Sequence, residues 1–313
     1  MARFADRATQ PTRGPKDILR WKLGVERDPR GADADALEKL LPGVRDPAAA
    51  AAALALPDPA LTWLGHATFA LRLAGKLILT DPVLCARIQQ VVPRLTPPGV
   101  PVGDLAPVDV VTVSHDHMDH MDFWTLKRLP RTALYVVPLG NGERLRALGH
   151  ERVVELDWWQ SHQEGDLSIT LVPARHWSMR MPWTRNESLW GGFVYRGPEG
   201  TAYHSGDSAY GPHYAEIGAR FPGLDWAMLP IGAYSPRWFM NPQHQDPEEA
   251  ARGFLDLGAR LFVAMHWGTF KLTDEPLGEP PVLLRAFWGM RGLPPERLWI
   301  PDIGERRVLS RGP

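Results

Sequence analysis

The chain has 313 residues, of which 44% are hydrophobic, and its formal net charge is −1. This length and hydrophobic content suffice for one large domain or two small ones, and the near-neutral charge argues against a nucleic-acid partner. The single cysteine, Cys85, excludes an internal disulfide. No apolar stretch has the length of a signal peptide or a membrane span. We therefore expect a cytoplasmic protein, with peripheral contact at the inner membrane surface as an alternative.

Residues 1–60 differ in composition from the rest of the chain. They are rich in Pro, Arg and Asp and end in the alanine run Ala48–Ala53. A short helix is expected around Asp33–Leu41, because Leu37, Leu40 and Leu41 share one helical face. The alanine run is expected to form a helix or a spacer. We interpret residues 1–60 as an N-terminal extension that packs on a main domain of residues 61–313.

From Leu61 onward, short apolar runs alternate with turns and helical patterns. Ala70–Leu73 and Lys76–Leu79 flank Gly75 like a hairpin. This alternation predicts one α/β domain with sheets inside and helices outside. Further strands are predicted at Val108–Val113, Ala133–Val137, Leu167–Val172, Gly192–Tyr195, Ala202–His204, Trp226–Pro230 and Leu261–Met265. Helices are predicted at Phe123–Arg128, Gly142–Leu148, Tyr214–Arg220, Pro247–Leu257 and Pro281–Met290.

The most informative segment is the ligand-rich run that follows the predicted strand Val108–Val113. Its ligand-type residues are His115, Asp116, His117, Asp119 and His120. Imidazole nitrogen and carboxylate oxygen are ligands of zinc in catalytic sites. The alternative is a helix start with polar residues on a solvated loop, but that alternative does not explain the crowding. The run therefore predicts a metal site, and five ligand-type residues are more than one ion needs.

Four more ligand-type residues follow other apolar runs. They are Asp81, His176, Asp207 and His266. If the strands lie side by side, their ends meet at one edge, where ligands bind in layered α/β folds. Each of the four has a plainer alternative, such as a turn aspartate or an isolated structural histidine. Asp81 is placed behind the ligands, where it orients a ligand histidine.

The simplest assignment gives two metal pockets bridged by the carboxylate of Asp207. The first pocket is His115, His117 and His176, and the second is Asp119, His120 and His266. A hydroxide between two zinc ions would complete the site, because bound zinc lowers the pKa of water to roughly 7. Two divalent ions minus two carboxylates and one hydroxide leave about +1, which favours an anion or a group that becomes anionic during reaction. Phosphodiesters and strained esters both qualify.

Several motifs beyond the ligands make the chain resemble a known family. It is similar to the metallo-β-lactamase superfamily and, within it, to the N-acylphosphatidylethanolamine-hydrolysing phospholipase D family and its bacterial relatives. The resemblance covers roughly Leu61 to Glu305. The motifs that carry it are Trp63–Thr68, Leu79–Pro82, Ser114–His120, Val137–Gly140, Glu155–Trp159, His176–Trp177, Leu189–Gly191, Gly206–Asp207, Pro230–Met240, Gln243–His244, Asp246–Ala250 and His266–Phe270.

The resemblance implies a four-layer αββα sandwich with a binuclear metal site at one edge. The family's metal ligands fall on the same seven residues, and its Gln-His pair, here Gln243 and His244, lies beside the metals near the substrate phosphate. His66 is expected to lie behind the metals or near the substrate. An apolar approach for acyl chains is expected from Trp183, Trp238, Phe239 and Met240, with ordinary core packing as the alternative.

The resulting hypothesis is a zinc-dependent phosphodiesterase of phospholipase D type. It would release N-acylethanolamine from N-acylated phospholipid and leave phosphatidic acid, with catalytic roles for Asp119, Asp207 and His244. A protonated Asp119 or a metal-bound water would protonate the leaving group. Zn²⁺ is the favoured ion, with iron, manganese and nickel as alternatives. An oligomer is compatible with the sequence.

Two other functions are kept as alternatives. One is a lactonase or another ester hydrolase of the same superfamily, which would attack a carbonyl carbon with one metal stabilising the oxyanion. The other is a metal-holding binding protein without turnover. The intact ligand set argues against the latter, because a degenerate site is expected to lose ligands.

Overall fold

A computed structural model describes residues 3–8, 11, 13–29 and 31–309. Its strands form two large sheets and one small hairpin. In chain order the strands are β1 (Ala60–Gly65), β2 (Thr68–Leu73), β3 (Lys76–Thr80), β4 (Arg87–Ile88), β5 (Val92–Pro93), β6 (Val110–Thr112), β7 (Leu134–Pro138), β8 (Arg152–Leu156), β9 (Ser161–Glu164), β10 (Leu167–Val172), β11 (Gly192–Gly197), β12 (Gly200–His204), β13 (Trp226–Pro230), β14 (Leu261–Met265), β15 (Leu298–Trp299) and β16 (Arg306–Val308).

The two large sheets each have seven strands. The first has the order β16-β1-β2-β3-β6-β7-β8, and the second has the order β15-β14-β13-β12-β11-β10-β9. Each sheet joins an antiparallel half to a parallel half, since β3, β6, β7 and β8 run parallel, as do β12, β13, β14 and β15. The chain thus builds six strands of the first sheet, then all seven strands of the second, and returns to the edge of the first sheet with β16.

Helices cover the outer faces of the two sheets. The first sheet packs against α3, α4 and α5, and the second packs against α6, α8 and α9. The mixed α/β sandwich predicted from the sequence is confirmed. The helices are α1 (Pro15–Lys22), α2 (Ala34–Leu37), α3 (Pro47–Leu54), α4 (Phe123–Leu126), α5 (Gly142–Ala147), α6 (His213–Arg220), α7 (Arg237–Met240), α8 (Pro247–Leu257) and α9 (Glu279–Met290).

Successive side chains of a β-strand point to opposite faces of its sheet. The first sheet therefore contacts a different hydrophobic cluster on each face. Val110 and Val136 face the large cluster between the sheets. Val111 and Val137 face the smaller cluster under the outer helices. All four side chains are fully buried. Both faces of this sheet are covered, which explains why its strands are continuous apolar runs and not alternating ones.

Most of the predicted elements are present. The hairpin around Gly75 is β2–β3, with Gly75 at φ +69° in its turn. Each strand predicted between Val108 and Met265 has its counterpart in β6, β7 or β10 to β14, and the alanine run forms α3. Helix α8 has the predicted bounds. It begins with a reciprocal cap in which the Glu249 amide donates to Asp246 and the Asp246 amide donates to Glu249.

Some elements differ from expectation. The helix predicted over Asp33–Leu41 is only Ala34–Leu37, and the chain continues in tighter turns in which the Lys39 amide donates to the Ala36 carbonyl and the Leu40 amide to the Leu37 carbonyl. The unpredicted elements are helices α1 and α7 and strands β1, β4, β5, β8, β9, β15 and β16. The N-terminal region contributes Phe4 to the core between the sheets and Ala50 and Leu54 to the outer core. The domain division at residue 60 stays a prediction. Of the helices that the structure describes, none has the length and apolarity needed to cross a bilayer.

Candidate metal centre

Strand direction brings the predicted ligands to one edge of the sandwich. In the first sheet, His66 follows β1, Asp81 follows β3 and the His115–His120 loop follows β6. These three strands share one direction, since β1 and β3 are each antiparallel to β2 and β6 is parallel to β3. In the second sheet, β10, β12 and β14 also share a direction and lead to His176, Asp207 and His266. We call this common edge the metal edge.

Two groups of potential ligand atoms lie at the metal edge. Within each group the ligand atoms lie within 4.8 Å of one another. In a tetrahedral zinc site, ligand atoms are separated by roughly 3.3 Å, given zinc–nitrogen bonds of about 2.0 Å. Both groups therefore have a spacing compatible with a metal ion. The first group is His115, His117, His176 and Asp207, and the second group is His66, Asp119, His120 and His266.

In the first group, three imidazole nitrogens point to one place. His117 Nδ1 lies 2.9 Å from His115 Nε2 and 3.2 Å from His176 Nε2. Asp207 Oδ2 is 4.0 Å from His115 Nε2 and 3.8 Å from His176 Nε2. Convergence of three ring nitrogens and a carboxylate is the arrangement that a divalent cation stabilises.

The second group contains a histidine that the sequence reasoning had placed behind the metals. His66 Nε2 lies 3.1 Å from Asp119 Oδ2, and its ring packs on that of His266 with centroids 3.9 Å apart. Asp119 Oδ2 also lies 3.6 Å from His120 Nε2 and 3.7 Å from His266 Nε2. His66 thus has the position of a third histidine around Asp119.

The carboxylate of Asp207 lies between the two groups. Its Oδ1 is 3.1 Å from His266 Nε2, and its Oδ2 is 3.2 Å from His120 Nε2. The same Oδ2 also faces His115 and His176 of the first group. The geometry is compatible with the predicted bridging role, which stays a prediction.

Hydrogen bonds behind the ligands orient their rings. Asp81 accepts from the Ser114 amide at 2.6 Å, and its Oδ2 lies 2.7 Å from His120 Nδ1. His115 Nδ1 contacts Ser114 Oγ at 2.9 Å, and His176 Nδ1 contacts the Gln243 carbonyl at 2.9 Å. Such partners set which ring nitrogen is available to a metal. Asp81 thus lies where it would orient His120.

Asp116 belongs to the ligand-rich run but not to either group. Its carboxylate accepts a hydrogen bond from Ser188 Oγ at 2.9 Å and lies 3.4 Å from Arg144 Nη2. Arg180 Nη1 donates to the Asp116 carbonyl at 3.3 Å and to the Met121 carbonyl at 2.7 Å. These contacts anchor the loop that carries the ligand histidines.

Three residues at the metal edge have left-handed backbone conformations. The φ angles are +54° at His66, +37° at Asp81 and +66° at His266. Such conformations cost about 1–3 kcal/mol in residues other than glycine and recur at functional sites. The fold therefore holds these side chains in place at a cost in stability.

Unpartnered polar atoms test whether the residues fit a metal. Among the described residues, His120 Nε2, His266 Nε2 and Asp207 Oδ1 are buried without a hydrogen-bond partner. A buried polar group left unpaired costs about 1–3 kcal/mol. All three atoms are good metal ligands, and a divalent cation would satisfy them together. The residues present therefore fit a binuclear metal centre.

The electrostatics of the metal edge favour a cation. Burial alone would raise the pKa of the Asp207 carboxyl, but His266 and His120 hold it well below its usual value. Burial alone would lower the pKa of His120, but Asp207, Asp119 and Asp81 hold it well above its usual value. Three carboxylates thus surround the His120 ring and favour its protonated form. A bound metal ion would replace the proton on His120.

The ionisation of Asp119 differs from one expectation. Burial alone would raise its pKa, but His120, the nearby ring of His266 and the hydrogen bond with His66 hold it well below the usual value. The carboxyl is therefore ionised at neutral pH, which suits a metal ligand. It does not suit the protonated form that the sequence reasoning considered as a proton donor.

The predicted substrate residues lie at different distances from the ligands. His244 Nδ1 is 3.9 Å from Asp207 Oδ2 and is buried without a hydrogen-bond partner among the described residues. Burial lowers the pKa of His244 to about 4. Gln243 is buried and contributes its carbonyl oxygen to His176. The Trp238 ring lies 5.0 Å from the Arg20 guanidinium, on the side of the N-terminal region.

The residues expected at an apolar approach divide into two kinds. Phe239 and Met240 are buried, whereas Trp183 is 74% exposed. Trp177, which no sequence argument had singled out beyond the family motif, has its ring 4.7 Å from that of His117. Phe239 packs against Trp21 and Trp238, whereas Trp183 lies on the surface, and the apolar approach stays a prediction.

Comparisons with known proteins agree with this site. A family model described as a beta-lactamase superfamily domain matches residues 76–267. An uncharacterised protein of Mycobacterium tuberculosis is 44% identical over 239 residues, which cover 72% of this chain and 63% of the relative, so the chain spans less than two thirds of that relative. The N-acyl-phosphatidylethanolamine-hydrolyzing phospholipase D 1 of Caenorhabditis elegans is 35% identical over 248 residues, which cover 74% of this chain and 70% of that protein.

A solved structure supports the fold. The crystal structure of a possible metal-dependent hydrolase from Veillonella parvula matches with a TM-score of 0.67 and 17% identity, over 80% of this chain and all of that one. At that identity the likeness concerns the fold alone. Taken with the family model, these matches show that the chain belongs to the metallo-β-lactamase superfamily. Its two candidate His/Asp metal-binding groups lie in the part of the chain that includes the residues matched by the family model.

Proposed function

We propose that this protein is a zinc-dependent phosphodiesterase of phospholipase D type that acts on N-acylphosphatidylethanolamine-like phospholipids. The observation that carries the proposal is the pair of adjacent His/Asp groups with Asp207 between them. The printed activity of the Caenorhabditis elegans relative gives the substrate class. In this reaction a water oxygen bonds to phosphorus, the bond from phosphorus to the N-acylethanolamine oxygen breaks, and that oxygen takes up a proton.

The residues of the two groups would hold two divalent cations. When bound, the cations would supply Lewis acidity toward the phosphoryl oxygens and lower the pKa of a coordinated water to roughly 7. The assignment is that of the sequence analysis, with His66 added beside Asp119. Two carboxylates, Asp119 and Asp207, do not neutralise two divalent cations. The loaded site would therefore keep a positive charge, which suits an anionic phosphodiester and also an ester that becomes anionic during reaction, so the phosphodiester is chosen from the printed activity of the relative.

Residues of this chain position the reacting groups. Asp81 and the Gln243 carbonyl fix the ring orientations of His120 and His176, so little reorganisation is needed when substrate binds. The side chain of His244 is 14% exposed, and its unpartnered Nδ1 lies at the same carboxylate that separates the two groups. We assign His244 to a nonbridging phosphate oxygen, to which its ring N–H would donate a hydrogen bond.

The test uses purified, zinc-loaded protein. We expect hydrolysis of N-acylphosphatidylethanolamine, with phosphatidic acid and N-acylethanolamine as products identified by mass spectrometry. We also expect slower hydrolysis of bis-p-nitrophenyl phosphate, which lacks the lipid. Protein that binds two metal equivalents and cleaves neither compound would contradict a phosphodiesterase. Activity on a lactone panel in place of both phosphodiesters would support the lactonase alternative.

A further inference from the structure

Helix α1 presents its apolar side chains to solvent. Ile18, Leu19 and Leu23, the last at its C-terminal end, are 45%, 59% and 71% exposed. At 100° per residue these positions share one face of the helix. A surface helix of a globular protein usually turns its apolar face to the core. The orientation of α1 is the reverse of that arrangement.

The opposite face of α1 carries polar groups and contacts the body of the protein. Asp17 accepts a hydrogen bond from the Gly14 amide at 2.9 Å. Trp21 stacks on Phe239 with ring centroids 5.0 Å apart, and its Nε1 donates to Asp274 at 2.9 Å. The Arg20 guanidinium lies 5.0 Å from the Trp238 ring. The body therefore holds α1 with its apolar face outward.

Positive charges accompany the exposed apolar side chains. Lys16 and Lys22 are exposed on α1. Between residues 13 and 27 the sequence has Arg13, Lys16, Arg20, Lys22 and Arg27 but only Asp17 and Glu26 as acids. Glu26 Oε1 lies 2.6 Å from Arg20 Nη2 in a salt bridge. The Asp17 carboxylate accepts a hydrogen bond from the Gly14 amide at the start of the helix. The exposed part of α1 therefore carries Lys16 and Lys22 beside its apolar side chains.

A loop joined to the start of α1 also exposes large apolar side chains. Met181 is 43% exposed and Trp183 is 74% exposed. The loop is joined to the start of α1 by Arg185 Nη1, which donates to the Arg13 carbonyl at 3.2 Å. The Arg185 guanidinium lies 4.2 Å from the Trp177 ring, whose centroid is 4.7 Å from that of His117. One chain of contacts thus links the exposed face to the first ligand group.

We propose that this face, the α1 surface, docks on an anionic lipid bilayer. The α1 surface consists of Lys16, Ile18, Leu19, Lys22, Leu23, Met181 and Trp183. Exposed leucines next to lysines suit a helix that lies in the headgroup region with its apolar side inserted. Tryptophan is enriched at that depth, and each lysine near an anionic surface strengthens binding about fivefold. A second copy would bring the same lysines face to face, so charge complementarity selects the bilayer.

Docking by the α1 surface would bring the metal edge close to phospholipid headgroups. This consequence rests on the proposed function, whereas bilayer binding does not. The two can be separated because vesicle binding is read without turnover, and hydrolysis of bis-p-nitrophenyl phosphate is read without a bilayer. Either activity can therefore fail while the other remains.

The experiment is cosedimentation of the full chain with vesicles of phosphatidylcholine alone and of phosphatidylcholine mixed with phosphatidylglycerol. We expect binding to the mixed vesicles, weakened by salt, and little binding to phosphatidylcholine. The double variant L19S/L23S should bind at least about tenfold more weakly, since the leucines lose their apolar burial. The matched control L283S/M290S removes side chains of α9 that are 44% and 77% exposed and should bind like the wild type.

Charge is tested by K22E against K127E, both at exposed lysines. K22E should weaken binding to the mixed vesicles at least about fivefold, and K127E should not. Unchanged melting curves and zinc contents would show that the variants fold. Wild-type protein that ignores anionic vesicles, or binding that L19S/L23S and K22E leave intact, would overturn the proposal. Self-association lost in L19S/L23S without any vesicle binding would assign the α1 surface to a second copy instead, which also overturns it.

Discussion

The metal edge and the neighbouring α1 surface differ in which side chains they bury, polar ones at the metal edge, and which they expose, apolar ones on the α1 surface. At the metal edge, polar side chains such as His115, His120 and Asp207 are buried, and His120 Nε2 and Asp207 Oδ1 have no hydrogen-bond partner among the described residues. On the α1 surface, apolar side chains such as Leu19 and Leu23 are exposed. Burying unpaired polar groups at the metal edge is unfavourable until a cation binds them. Exposing apolar side chains on the α1 surface is unfavourable until a bilayer covers them. Variants should therefore separate the loss of hydrolysis from the loss of bilayer binding.

The largest effect is expected from Asp207→Ala. This change removes the carboxylate between the two groups, so we expect a loss of at least about 10³-fold in phosphodiester hydrolysis and a lower metal content. Activity assays and elemental analysis measure both. Binding to anionic vesicles should not change, because Asp207 is not part of the α1 surface. The control is Asp166→Ala at an exposed turn, and activity near the wild-type level in Asp207→Ala would refute the bridging assignment.

A smaller effect is expected from Asp81→Ala, which leaves all the ligands in place. His120 Nδ1 and both polar groups of Ser114 would lose their acceptor. Loss of a partner behind a metal ligand weakens metal affinity about 10–100-fold. Competition with a chromogenic chelator measures this change. Wild-type affinity in the folded variant would mean that Asp81 does not orient His120.

His66→Gln tests whether His66 is a metal ligand of the second group or lies outside it. If His66 belongs to that group, we expect about one metal equivalent to be lost on dialysis while the other is retained, with affinity for the weaker site lowered at least about 10-fold. Elemental analysis before and after dialysis measures the stoichiometry. His162→Gln on β9, where the side chain is 28% exposed, is the control. Retention of both equivalents with unchanged affinity would place His66 outside the metal centre.

The smallest effect is expected from Trp21→Ala, which detaches α1 without touching the metal edge. The stack on Phe239 and the hydrogen bond to Asp274 would be lost, and we expect global stability to fall by less than about 1.5 kcal/mol. Faster amide hydrogen exchange confined to residues 15–25 would show the local release. Trp124→Ala, at a tryptophan that is 39% exposed on α4, should leave that segment unchanged. Unaltered exchange in Trp21→Ala would mean that other contacts hold α1.

Local sequence patterns predicted the parts of the site that are close in sequence. The run from His115 to His120 follows a buried strand, so its ligand character was visible directly. Asp207 and His266 were found because each follows an apolar strand that was also predicted. His66 was ranked lower because β1 was not predicted, and Asp119, its partner, is distant in sequence. Recognising β1 as a strand would have placed His66 at the same edge.

Other elements escaped prediction for different physical reasons. Strand β9 consists of polar residues that are partly exposed, and its pairing with β10 defines it. Helix α1 is short and packs through Trp21 against α7, so neither its length nor its apolar face marked it as part of a core. The same exposed face was invisible to sequence patterns, because an amphipathic pattern does not reveal which side the body covers.

From its sequence alone, this chain could be assigned a layered α/β fold and seven of the eight residues that form the two candidate metal-binding groups. Those features depend on strand periodicity and on residue chemistry, which are local. The grouping of His66 with Asp119, the ionised state of Asp119 and the outward face of α1 were decided by tertiary structure. Each depends on distances between segments far apart in the chain, where burial and neighbouring charges outweigh local preference.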